Sequence, residues 1–180
     1  MRAGIVLCLL AVLLGPASAA AEPWLLVDSR AGILRVMDSD GVRARFENPA
    51  FGVAGVGIKQ RRGDGVTPRG TFRVAWINPR SRFRLFFGLD YPNREHATLA
   101  LHDGRIDPPT YRRIVDALEA GRTPPQDTPL GGAIGIHGLG GGDPWIHANL
   151  DWTDGCVALD DAQIDALRHW IRPGMRVEIR

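Results

Sequence analysis

From Trp24 to Trp76 short apolar runs are cut apart by turn-forming residues, and that punctuation confines the chain to a β-rich fold. Trp24-Leu25-Leu26-Val27 is followed by turn chemistry from Asp28 to Gly32, and then by a second run, Ile33 to Met37. Asp38-Ser39-Asp40-Gly41 is a tight turn, after which Val42 to Phe46 alternates apolar residues with arginine. Runs joined in this way are hairpins. Phe51 to Ile58 is apolar and interrupted by Gly52, Gly55 and Gly57, which predicts a strand lying close against other backbone. Thr71 to Ile77 and Met175 to Ile179 read as further strands.

Two segments carry helical spacing. Thr110 is the expected cap of a helix whose apolar face is Tyr111, Ile114, Val115 and Leu118, with Gly121 as its stop. Asp160 is the expected cap of a second, with Gln163 as capping-box partner. Its apolar face is Ile164, Leu167 and Ile171, and Pro173-Gly174 ends it. The sum is a mainly β domain, sandwich- or barrel-like, with two added helices. Gly121 to Gly132 reads as loop, and no repeat, linker or second domain is visible.

Residues 1–21 do not read as part of that fold. Arg2 precedes an apolar run from Ile5 to Leu14, broken only by Cys8. Gly15-Pro16 and small residues at Ala17-Ser18-Ala19 or Ala19-Ala20-Ala21 follow. This is the layout of a secretory signal peptide, too short to span a bilayer. Cleavage after Ala21 leaves 159 residues, enough for one domain with a real core, and no membrane span. It also leaves 21 basic against 20 acidic residues, a balance that argues for no particular polyanion. The clusters Arg61-Arg62 and Arg80, Arg82, Arg84 read as solvated surface, and no nucleic-acid module is present. Cys156 remains as a single thiol. In an exported chain that means a reactive group, a partner chain or an inert core cysteine.

The informative stretch is Ile134 to Leu159. A short apolar strand delivers His137 into a glycine turn at Gly138, and Thr153-Asp154-Gly155 delivers Cys156 just before a helix. A thiol becomes a nucleophile when a nearby imidazole takes its proton. The same imidazole then returns a proton to the leaving group. Gly155 lets backbone N–H groups near the cysteine converge where an oxyanion forms.

These residues resemble the catalytic domain of the L,D-transpeptidases, also called the YkuD-like domain. Its signature is His-Gly, a spacer, then Ser/Thr-His-Gly-Cys. Here the spacer after His137 is 15 residues, Gly138 to Trp152, and Thr153, Gly155 and Cys156 match. The family's upstream Thr-Pro-x-Gly-x-Phe is matched by Thr67-Pro68-Arg69-Gly70-Thr71-Phe72, with Gly57 and Lys59 ahead of it. The resemblance runs from about Trp24 to the C-terminus. One position departs: the family's second His is Asp154 here, which cannot be a cation and bears on the choice of acceptor.

The resemblance implies that Cys156 attacks the carbonyl before the terminal D-alanine of a peptidoglycan stem peptide, with His137 as base and acid. The carbonyl of Gly138 would hold the imidazole tautomer, and the N–H groups of Asp154, Gly155 and Cys156 would form the oxyanion hole. An amine acceptor or a wall-attached protein would resolve the thioester in the periplasm or cell wall. Carbapenems, which acylate family thiols, are expected to react. No metal or organic cofactor is expected, and the spacing of His137, His147 and Cys156 matches none of the usual zinc patterns.

Substrate-binding candidates are Thr153, Trp145, His147, Trp152 and Arg84, with His147 expected at the cleft rim. His96, His102 and His169 read as structural. An L,D-carboxypeptidase or another hydrolase of peptidoglycan linkages fits the same Cys-His site. A non-catalytic peptidoglycan-binding protein fits less well, because Cys156 and His137 are both intact. A papain-like enzyme would place the cysteine ahead of the histidine, the reverse of the order here.

Overall fold

The computed structural model describes residues 22–180; the expected signal peptide lies outside them. Strands β1 (Trp24–Asp28), β2 (Ile33–Asp38) and β3 (Gly41–Glu47) form the antiparallel meander that the turn chemistry predicts. Two short strands, β4 (Val56–Gly57) and β5 (Thr67–Pro68), pair with each other alone. Next come β6 (Gly70–Ser81) and β7 (Arg84–Leu89), then, after two helices, β8 (Gly135–His137), β9 (Val157–Ala158) and β10 (Arg176–Ile179). The main sheet has eight strands in the order β3-β2-β1-β10-β6-β7-β8-β9. Its two ends approach each other: Ala50, just beyond β3, exchanges backbone hydrogen bonds of 2.9 and 2.8 Å with Ala158 of β9. The sheet therefore curls toward closure, which is the barrel-like, mainly β architecture expected.

The core follows strand alternation. Leu25 and Val27 of β1, Phe72 and Val74 of β6, Phe87 and Leu89 of β7 and Val177 and Ile179 of β10 are all buried together. Each contributes on the order of 1.5–3 kcal/mol by leaving water.

Helices are where the sequence and the structure part most. There are four among the described residues: α1 (Arg94–His102), α2 (Pro108–Glu119), α3 (Pro144–Asn149) and α4 (Asp161–Arg168). α2 starts earlier than expected. Asp107, not Thr110, is its cap, accepting from the Thr110 N–H at 2.9 Å. Pro108 and Pro109 open the helix because a first-turn residue needs no N–H partner. Asp160 does cap α4, accepting from Gln163 N–H at 2.7 Å. The Gln163 amide does not close a capping box; it donates to the Glu47 carbonyl at 3.1 Å. α4 ends at Arg168, so Ile171 packs on the core from beyond the helix.

Phe51 to Ile58 is not a continuous strand; only Val56–Gly57 pairs as one. The close backbone approach is real, since a Cβ on Gly52 would lie 2.1 Å from the Gly65 carbonyl oxygen.

α1 also buries a histidine. His96 packs against the rings of Phe72 and Tyr91, with Nδ1 2.7 Å from Asn93 Oδ1. Burial, aided by the Arg105 charge, pushes its pKa down to about 4. The unfolded chain takes up this proton near pH 6.5 while the folded one does not, so stability is present above 6.5 and is lost as pH falls toward 4. The loss expected from this group is about 3 kcal/mol. His96→Gln should flatten urea-measured stability across that pH window; an unchanged slope would remove His96 from the acid response.

Candidate active site

β8 ends on His137 and β9 begins just after Cys156, and the two strands pair in parallel through Ile136 with Val157 and His137 with Ala158. Strand pairing therefore brings His137 and Cys156 to one cleft of about 440 Å³. Cys156, His137, Trp152, Thr153 and Asp154 line it, as do Arg82, Phe83, Phe86 and Gly132 to Ile134.

His137 is 2 % exposed and its ring is fixed on several sides. Phe83 stacks on it at 4.2 Å between centroids, Phe86 lies parallel at 6.1 Å, and Trp152 meets it edge-on at 5.7 Å. Nδ1 lies 2.7 Å from the Gly138 carbonyl oxygen and donates to it in the neutral ring. Nε2 then carries the lone pair. Desolvation by the aromatic wall, reinforced by His147 and Arg82, outweighs the Gly138 hydrogen bond and lowers the imidazole pKa. The histidine is neutral at neutral pH. Gly138 cannot carry a side chain here, because a Cβ would meet Phe83 O and Asp161 Oδ1, each at 2.7 Å.

Cys156 rests in a different contact. Its thiol donates to the Ala133 carbonyl at 3.4 Å, and no hydrogen bond joins it to His137 among the described residues. The residue is partly exposed, yet desolvation dominates at the sulfur. That desolvation, with Asp154 adding to it, pushes the thiol up to about 11 against the opposing effects of a Gly135 backbone hydrogen bond and of Lys59. The resting pair is thus a thiol and a neutral imidazole.

The carbonyl of Cys156 is clamped by both motif threonines: Thr153 Oγ1 donates at 2.7 Å and Thr67 Oγ1 at 3.2 Å. Thr153 Oγ1 also accepts from the Gly155 N–H at 3.1 Å. This changes one expectation: the Gly155 N–H, expected to face an oxyanion, is already committed to Thr153. Thr153 serves the turn as much as the cleft.

The other candidates divide. Trp152 lines the cleft, and its Nε1 donates to His147 Nδ1 at 3.3 Å. His147 stands behind it on α3, not in a loop. Trp145, on the same helix, is 66 % exposed and does not line the cleft. Arg84 is turned away, with Nε 2.8 Å and Nη2 2.6 Å from the Asp165 carboxylate of α4. Arg82 takes its place at the cleft wall, its guanidinium 4.7 Å from the Phe83 ring centre. Phe83, Phe86 and Ala133 had no sequence signal. Among the described residues no group of three His, Cys, Asp or Glu side chains is placed to hold a metal ion. None of their helices is long and apolar enough to cross a membrane.

Residues 22–179 match the L,D-transpeptidase catalytic domain. The chain belongs to that family. Solved structures with a similar fold include the helical cell shape determining protein Pgp2 from Campylobacter jejuni, at 21 % identity and TM-score 0.57 over 89 % of this chain and 49 % of that one. Bd1075 from Bdellovibrio bacteriovorus is similar at 18 % identity and TM-score 0.54, over 92 % of this chain and 50 % of that one. The chain thus spans about half the length of these structures. No curated protein matches it. As a family member it carries the fold of that catalytic domain, with Cys156 and His137 lining one cleft.

Proposed function

We propose that this chain is a cell-wall L,D-transpeptidase that works through a Cys156 thioester. The observation that carries the proposal is a thiol and a neutral, tautomer-fixed imidazole lining one cleft. The Cys156 thiol leaves Ala133 and transfers its proton to His137 Nε2 as sulfur bonds to the stem-peptide carbonyl carbon. The oxyanion is held by the Asp154 and Cys156 N–H groups. The carbon–nitrogen bond then breaks, and D-alanine leaves with the proton from His137. An acceptor amine attacks the thioester, gives a proton back through His137, and the sulfur–carbon bond breaks. Export to the periplasm or cell wall and a peptidoglycan substrate are part of this reading.

Asp154 favours keeping a second reading. Its carboxylate lines the cleft where the family has a histidine, and it disfavours an anionic acceptor. Water would then resolve the thioester, and the enzyme would trim stems as an L,D-carboxypeptidase. Purified disaccharide tetrapeptide separates the readings. The transpeptidase releases D-alanine and yields a crosslinked dimer; tripeptide alone, even with excess amine acceptor, means hydrolase. No D-alanine under either condition overturns both.

A further inference from the structure

A buried ion pair lies against the back of the nucleophile turn. The Lys59 side chain is 2 % exposed, and its ammonium is 2.5 Å from Asp64 Oδ1 and 3.2 Å from the Val66 carbonyl. Gly155 sits directly in front of it: a Cβ there would be 3.3 Å from Lys59 Nζ and 2.7 Å from the Val66 oxygen. Asp64 is fully engaged, accepting from the N–H groups of Gln60, Arg61 and Val66 as well as from Lys59. Burial acts to raise its pKa, but these hydrogen bonds outweigh it and hold the carboxyl below the usual range. The pair is therefore an oriented dipole with a cation at its end nearest the turn.

We propose that Lys59 is a positioning residue for the reaction, a buried ammonium that offsets through the Gly155 backbone the negative charge arising on the Cys156 sulfur and on the acyl oxygen. Asp64 pairs with Lys59 and so offsets the cost of burying it directly behind Gly155. In a desolvated site a fixed charge acts far more strongly than in water. The other charged and titratable groups facing the sulfur do not supply a cation within the turn. Asp154 brings a carboxyl group, His137 is neutral, and the Arg82 guanidinium lies over Phe83. Lys59 accordingly acts on the thiol in the direction opposite to Asp154.

The inference rests on Cys156 being the reacting sulfur. Its test needs no peptidoglycan, so its failure is separable from a failure to release D-alanine. The rate of Cys156 alkylation by iodoacetamide is followed against pH in the full chain for wild type, Lys59→Met and Lys59→Met/Asp64→Asn. The double variant leaves no unpaired charge and keeps one acceptor oxygen for the turn, the one that takes the Gln60 and Arg61 N–H groups. In Lys59→Met the thiol pKa rises by at least about one pH unit, so alkylation slows about tenfold at any pH below it. In the double variant the melting temperature returns toward wild type while the thiol pKa stays above it. Asp154→Asn moves the thiol the other way. Wild-type pH dependence in the folded double variant overturns the proposal and leaves the pair a structural brace. If Lys59→Met does not fold, the double variant decides alone.

Discussion

His137→Gln should form the Cys156 thioester about a thousandfold more slowly than wild type, with little change in melting temperature. Glutamine occupies a similar volume between Phe83 and Trp152 and can still donate to the Gly138 carbonyl, but it offers no basic nitrogen to the thiol. The effect should be large because the resting thiol is held up to about 11 by desolvation and hardly ionises unaided at neutral pH. The pH profile gives the sharper check. In wild type, acylation should fall on the acid side as His137 takes up its proton, and burial places that limb below the ordinary 6.5. In His137→Gln the acid limb should vanish, and the residual rate should climb with pH toward the thiol's own ionisation. Thioester formation followed by intact-protein mass spectrometry across pH reads both, with Cys156→Ala as the zero line. A variant that retains the acid limb would mean that another group, His147 first, supplies the base.

The meeting of His137 and Cys156 in one cleft was legible because the segments that carry them are local in sequence. A strand ending in His137-Gly138, and a turn at Thr153-Asp154-Gly155-Cys156, each announce their geometry within a few residues. The meander of β1 to β3 was equally plain from its turns. What failed to show was of two kinds. α1 buries His96, Ala97 and Ala100, and α3 buries nothing, so neither displays the apolar stripe by which helices are found. The other kind is contact over long separations. Lys59 meets the nucleophile turn, Ala133 holds the thiol, and Thr67 reaches the Cys156 carbonyl only because the sheet curls and stacks its edges. No periodicity encodes such meetings. The same holds for the Gly155 N–H: its loss to Thr153 depends on a side-chain rotamer that the spelling of the motif does not specify. Arg84 shows the reverse error. A cluster of arginines marks a basic edge, but the positive φ of 67° at Arg84 turns that one toward α4 and leaves the cleft to Arg82.

Gly155→Ala should lower thioester formation by at least about a hundredfold, and cost about 1–3 kcal/mol of stability from backbone strain alone. Gly155 has φ of 130°, a region that L side chains rarely adopt. A methyl group there would lie 2.7 Å from Val66 O, 3.1 Å from Ile134 Cδ1 and 3.3 Å from Lys59 Nζ. The first of these is backbone and cannot move aside, so the turn itself must shift. Asp154 and Cys156 flank the displaced residue, and their N–H groups are the ones proposed to hold the oxyanion. A displacement of about 1 Å at such donors is enough for losses of this size. Gly141→Ala is the matched control. It lies in the loop between His137 and α3, a Cβ there meets nothing within 4 Å, and its φ is not positive. It should retain wild-type acylation and melting temperature. Loss of stability in Gly155→Ala with acylation intact would show that the turn can relax without disturbing the sulfur, and the oxyanion donors would then have to be sought outside it. Loss of both, with Gly141→Ala unaffected, ties the rate to the turn that carries Cys156.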